Sequence, residues 1–247
     1  MNLRAELPAG APLLGGDLVL APPTVAVDES GAITGDVVKQ TRQVYRNIQA
    51  ALKGDGLTTR DIVRTVEYFV PAAREGYRGT AGVRREFLSR PYPASTGVMV
   101  DRLTEPKALI QIEAVAWSGE RRVVDTGAPL DRLTFSPGIM AGGYLFTSGV
   151  YAVDPKTNES VHTGDPPGQA RYCYGLQMAV VKAAGLGEGH VVQVNEYVPE
   201  GGLTLEQSDA VRSEVFSEPL PAVSIGTVRS LIRRELAIEI ALVAVVS

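Results

Sequence analysis

The 247-residue chain is 45% hydrophobic and 21% charged, with 26 Gly and 16 Pro, which excludes a disordered or fibrous protein and leaves ample material for a core. A net charge of −4 and a pI near 5.4 exclude the cationic surface that a phosphate backbone requires, so no nucleic-acid partner is expected. The single cysteine, Cys173, accompanied only by His162 and His190, excludes an internal disulfide and a zinc-type ligand cluster, and neither metal nor cofactor is expected.

The opening "MNLRAELPAGAPLLGG" has no apolar core after a basic start, and no run reaches the ~20 apolar residues of a membrane helix. A cytoplasmic protein without a membrane partner is therefore expected. Next, "DLVLAPPTVAVDESGAITGD" reads as a strand, a second strand ending in Ala-Val-Asp, and a polar turn. In "VVKQTRQVYRNIQAALKGDG" apolar residues recur with the period of about 3.6 residues that marks a helix, and Gly56 stands where a C′ glycine ends one. "IVRTVEYFV" is β-branched and aromatic, as a strand is. A second helix over "AREGYRGTAGVRREFLS", the corner "PYPASTGVMV" and the strand "LIQIEAVA" complete the first half.

After the linker "SGERRVVDTGAPLDR" the same order returns. "GYLFTSGVYAVDPKTNESVHTGD" repeats the strand, strand and turn, and "QARYCYGLQMAVVKAAG" repeats the helix, with Cys173 as a small core residue. "VVQVNEYVP", "TLEQSDAVRSEVFS", "PLPAVSIGTV" and "LAIEIALVAVV" follow. Gln40 falls on Gln169, Arg42 on Arg171, Tyr45 on Tyr174, Glu67 on Glu196, Tyr68 on Tyr197 and Phe87 on Phe216. A repeat this long is a domain duplication rather than a solenoid. The expected units are residues 1–120 and 121–247.

Several acids lie in apolar strands, where a carboxylate is costly unless it is paired or used. Glu239 in "AIEIALVAVV" is either a proton-transfer group whose pKa burial raises or the partner of a neighbouring unit. Glu113 shares a strand face with Gln111 and serves the first half in the same way or forms a structural ion pair. Glu67 and Glu196 point at the helices or at the space between units. They line a polar cavity or cleft there, or they build a buried network that fixes assembly. Tyr68 and Tyr197 read as core or interface aromatics, and Ser148 lacks a visible base partner, which favours hydrogen bonding over nucleophilic attack.

The motif "LFTSGVYAVDPKT", the Gln-x-Arg opening of the long helix, the "AAGL" that closes it, the Pro-Ala corner and the Ile-x-Ile strand resemble the RidA/YjgF/UK114 family of imine and enamine deaminases, in two tandem copies. The resemblance implies a chorismate-mutase-like α+β fold, a mixed sheet with two helices on one face. It also implies inter-unit active sites and a barrel-like trimer of units, hence a homotrimer of chains with six units that binds a small-molecule substrate. The family holds a substrate carboxylate with an Arg after Pro-Ala. It adds a Ser-Gly on an early strand, an Asn on the second helix and a Glu on the last strand that positions the attacking water.

Here the second half keeps Ser148-Gly149 and Glu239, but has Val223 for the Arg and Asp209 for the Asn. The first half has Pro22-Pro23 for Ser-Gly, Ser95 for the Arg, Thr80 for the Asn and Gln111 for the Glu. The carboxylate anchor is thus missing from both corners, because neither Ser nor Val replaces a bidentate guanidinium. The resemblance implies catalysis by Glu239, Glu113 and Ser148, with Gly149, Asp209, Val223, Ser95, Gln111, Glu67 and Glu196 around the substrate. The expected reaction is deamination, hydration or rearrangement of a small imine, enamine or carbonyl compound in a specialised pathway. A non-catalytic binding or assembly protein is the alternative, and a chorismatase-like hydrolase a third, with Arg102, Arg229 or Arg233 as unplaced anchors.

Overall fold

The computed structural model of the chain describes residues 18–127, 131 and 133–246. The opening segment judged above for a secretory signal lies outside the described residues, as does part of the linker.

Two α+β units follow one another. The first contains β1 (Val19–Val25), α1 (Val37–Leu52), β2 (Ile62–Phe69), α2 (Thr80–Phe87), β3 (Ala94–Met99) and β4 (Ile110–Ala116). Its sheet has the order β1-β4-β2-β3, with β2 and β3 parallel and the other pairs antiparallel. The second contains β5 (Arg121–Val123), β6 (Gly138–Ala141), β7 (Tyr144–Thr147), β8 (Val150–Tyr151), α3 (Pro166–Ala183), β9 (Val191–Pro199), α4 (Leu205–Val215), β10 (Ala222–Val228) and β11 (Glu239–Val245). Its sheet runs β10-β9-β11-β7-β6-β5, with β8 also on β11 and only β9–β10 parallel. No described helix is long and apolar enough to cross a membrane.

The long helices begin and end as their sequences dictate. Asp36 and Asp165 cap α1 and α3 by accepting from Lys39 N and Gly168 N. Gly56 and Gly185, beyond their C-termini, have φ of 72° and 83°. The expected pair of strands before the first helix takes two forms. In the second unit β7 and β8 are separated at Ser148-Gly149. In the first the same stretch is one strand, β1, whose register shifts between Ala21 and Thr24, because Pro22 and Pro23 donate nothing to a ladder.

Each sheet has a helix side and a free side. Val44, Tyr45 and Ile48 of α1 pack with Ile110 and Ile112 of β4, and Ala170, Tyr174 and Val181 of α3 pack with Ile240 and Leu242 of β11. Between the units Val63, Ala94 and Val115 of the first cluster with Ile139, Phe146 and Val243 of the second. Backbone bonds fasten the junction: Ser136 N donates to Pro93 O (2.9 Å) and Gly149 N to Ser95 O (3.1 Å). Ala94, Thr96 and Val98 of β3 are consequently buried, whereas Val223 and Ile225 of the corresponding β10 are each 38% exposed.

Candidate functional site

Glu239 opens β11 on the side away from the helices, since its neighbours Ile240 and Leu242 belong to the helix-side core. Its cross-strand partners are Tyr151 on β8 and Tyr197 on β9, so these three side chains form one row on the free face. The carboxyl is 4% exposed and has no cation or hydrogen-bond donor among the described residues. Burial alone pushes its pKa up to about 8. A Cβ on Gly149 would overlap Glu239 Oε1 and lie 2.8 Å from Thr96 Cγ2, so the glycine makes room for the acid against the other unit's β3.

Ser148 and Ser95 meet at this junction. Ser148 Oγ accepts from Ser95 N (2.8 Å) and donates to Ser136 O (2.6 Å), and Thr65 Oγ1 donates to Ser95 Oγ (3.0 Å). These bonds accord with the hydrogen-bonding role that the sequence favoured for Ser148 over nucleophilic attack. Its hydroxyl is bound to backbone on both sides and positions the strand edges. From below, Gln177 of α3 donates to Ser148 O (2.9 Å) and Ile240 O (2.5 Å), holding the Ser-Gly bend and β11 together. Sequence reading missed Gln177, although Ile48 occupies the matching place in α1 and a polar residue in that apolar stripe was a visible signal.

Glu67 and Glu196, read from the sequence either as lining a polar cleft around the substrate or as members of a buried network, each sit in a buried network. Both lie under the helices. Glu67 accepts from Arg84 Nε (2.8 Å), Arg84 Nη2 (2.5 Å), Tyr77 Oη (2.7 Å) and Tyr45 Oη (3.4 Å). Glu196 accepts from Arg212 Nη1 (2.8 Å), Tyr174 Oη (2.5 Å) and, at close range, Ser208 Oγ. Burial pushes the Glu67 carboxyl up, but the Arg84 charge and the hydroxyl donors outweigh it and hold the pKa below its ordinary value. Strand parity decides between the two readings: these acids fall on the helix side, Glu239 on the other.

Gln111 and Glu113 lie on the free face of the first sheet. The Glu113 pKa is raised by burial against the opposing charge of Arg64, and Glu113 stands near Tyr68 and Tyr197. Gln111 pairs with Tyr68 and Val25, so the first unit's row carries an amide where the second carries Glu239. Asp209 is exposed on α4 and ion-paired to Arg212, and Val223 is exposed on β10; neither joins the junction that holds Glu239. Arg229 faces Asp101 at 3.6 Å, Arg233 is bound to Asn158 and Ser160, and Arg102 makes no ion pair among the described residues. A groove of about 840 Å³ beside this junction is lined by Arg74 and Met99 of the first unit and Arg229, Arg234 and Glu235 of the second. It reaches Ala237 but not Glu239.

The profile of the endoribonuclease L-PSP family matches residues 14–118 and again 126–246. The chain belongs to that family. It is a tandem duplication of the RidA/YjgF unit. A RutC family protein of Pyrococcus horikoshii is 33% identical over 85 residues, 34% of this chain and 65% of the relative, so the match spans just under two thirds of that protein's length. A RutC family protein of Haemophilus influenzae is 34% identical over 105 residues, covering 41% of this chain and 79% of the relative. Among solved structures, a chorismatase aligns with a TM-score of 0.62 at 20% identity over 86% of this chain and 72% of its own, a likeness of fold. The YjgF product of E. coli is 30% identical over 50% of this chain and 98% of its own, with a TM-score of 0.42.

Proposed function

We propose that the chain is a RidA-like enzyme that adds water to a small imine, enamine or related carbonyl compound in the cleft between its two units, with Glu239 as acid and base. The observation that carries this reading is the state of that carboxyl. It is buried, without a cation, and titrates near 8, so it holds a proton at neutral pH and can give it away. In the forward reaction Glu239 protonates the imine nitrogen. The resulting carboxylate takes a proton from water as its oxygen bonds to the carbon, that proton passes to the amine nitrogen, and as the C–N bond breaks the hydroxyl proton returns to Glu239, which ends protonated as it began. An imine and one water become a carbonyl compound and ammonia.

Ser148, Gly149 and Gln177 position the acid, and Ser95 and Thr96 wall the cleft. Glu113, with Tyr68 and Tyr197, lies on the same inner space and contributes a second raised carboxyl. Exposed β10, with Val223, and Asp209 on α4 supply the wall of a further cleft against the Gln111 row of another copy. Three chains with six units are the closed assembly this reading favours. The test is ammonia and keto-product release from imines generated in situ by an amino-acid oxidase, across acidic, neutral and aromatic side chains. Acceleration is expected, reduced about 100-fold or more in Glu239→Gln with the fold intact. No acceleration with any imine would overturn it in favour of a binding protein.

A further inference from the structure

The face of the second sheet that carries Glu239 also holds a buried polar group without a partner. Along β9, Val194, Glu196 and Val198 turn to the helices, so Gln193, Asn195 and Tyr197 turn to the free side with Glu239. Asn195 is only 8% exposed. Gln193 Nε2 donates to its Oδ1 (3.3 Å), whereas its Nδ2 meets no acceptor among the described residues. A buried donor left unpaired costs about 1 to 3 kcal/mol, and folded proteins keep few of them.

Strand register places this amide beside the acid. Glu239 stands opposite Tyr197 and Ala241 opposite Asn195, which makes Asn195 the diagonal neighbour of Glu239 on one face, with Cβ atoms about 7 Å apart. The residues around them are small. Ala241 offers only a methyl group, and on β10 Ser224 and Gly226 pair with Asn195 and Tyr197. A Cβ on Gly226 would lie 3.4 Å from Tyr197 Cδ1, so the Tyr197 ring leans over β10, on the side away from β11. In the first unit the matching positions carry Val66 for Asn195 and Gln111 for Glu239, with Val66 fully buried. An aliphatic residue thus satisfies the fold at this place, and the amide accompanies the acid.

We propose that Asn195 is the substrate-binding donor of the Glu239 cleft, its Nδ2 holding a neutral carbonyl oxygen, that of an amide or ester group next to the carbon on which Glu239 acts. The inference rests on Glu239 being the acid of this cleft. An amide N–H brings no full charge, so it suits a neutral oxygen, whereas a buried carboxylate requires the guanidinium that the Ser95 and Val223 corners lack. Protonated Glu239 donates to the imine nitrogen or ketone oxygen on the reacting carbon, and Asn195 to the oxygen one carbon away. Substrates with adjacent C=N and C=O groups, 2-imino amides or esters, reach both donors across the diagonal.

The test is calorimetric titration of the full chain with pyruvamide, with 3-methyl-2-butanone, in which an isopropyl group of the same shape replaces the carboxamide, and with pyruvate. Pyruvamide is expected to bind about tenfold more tightly than either. Asn195→Val, which installs the residue of the first unit, and Asn195→Ala should each abolish that preference. Asn195→Val should also keep or raise the midpoint of urea unfolding, because it removes an unpaired buried donor. Pyruvamide binding that is absent, no tighter than that of either comparison compound, or unchanged in both variants would overturn the proposal. Variants that lose stability and retain the preference would mark a structural amide and overturn it as well. An Asn195-dependent preference in a protein that hydrolyses no imine would keep the donor and sink the catalytic reading. Glu239-dependent imine hydrolysis with a preference indifferent to Asn195 would do the reverse.

Discussion

The two Pro-Ala strands, β3 and β10, are copies that have come to differ in what they touch. β3 is covered by the second unit: its Thr96 lies near Gly149, its edge bonds to Ser148 and Gly149, and a protonatable acid stands beside it. β10 is bare, with Val223 and Ile225 exposed, and the matching row on the first unit carries Gln111 and the Pro22-Pro23 pair in place of an acid and a Ser-Gly bend. The buried network beneath the sheets is retained in both units, Glu67 with Arg84 and Tyr45, Glu196 with Arg212 and Tyr174. The two units thus share the buried frame and differ in the acid: Glu239 stands in the second unit where the first has Gln111.

The largest effects should come from breaking the frame that the units share. Arg84→Ala and Arg212→Ala each strand a buried carboxylate and should cost about 3 to 5 kcal/mol in urea unfolding. A cost confined to one unit would mean that the two networks are not equivalent. Next comes the feature that separates them. The Glu239 carboxyl is raised from 4.5 to about 8 by folding, so across that window the folded state binds more protons than the unfolded one. Stability should fall as pH rises through it, by roughly 3 kcal/mol by pH 7, and Glu239→Gln should remove that slope. As an acid, Glu239 should also lose activity as pH rises past its folded pKa.

Gly149→Ala forces a methyl group onto the Glu239 carboxyl and should cost about 1 to 3 kcal/mol, with turnover lost before the fold is. The smallest effect on turnover sharpens the contrast between β3 and β10. If three chains assemble as proposed, Val223→Asp with Ile225→Asp should dissociate them in analytical ultracentrifugation and leave Glu239-dependent turnover in place, since the proposed cleft lies within one chain. Loss of turnover on dissociation would show that a neighbouring copy completes it.

Much of this was legible in the residues. The repeat, the order of helices and strands, the capping glycines and the suspicion attached to Glu239 all follow from local patterns. Period-2 alternation also grouped Glu113 with Gln111. It did not say which side of a strand faces helices, and Glu67 and Glu196 were accordingly left between a polar cleft and a buried network. Their partners, Arg84 and Arg212, sit 17 and 16 residues away on helices whose docking no strand pattern encodes. The sequence pointed to hydrogen bonding for Ser148 but does not record that its partners are Ser95 N and Ser136 O, which lie 53 and 12 residues away.

By itself, then, the sequence determined the doubled α+β frame and the presence of one acid in an apolar strand, because periodicity and backbone preference act over a few neighbouring residues. Only the tertiary structure decided that this acid faces the other unit without a counter-charge and that the remaining buried acids are neutralised under the helices. Desolvation and charge pairing depend on groups far apart in the chain, and they are set when the sheets and loops dock.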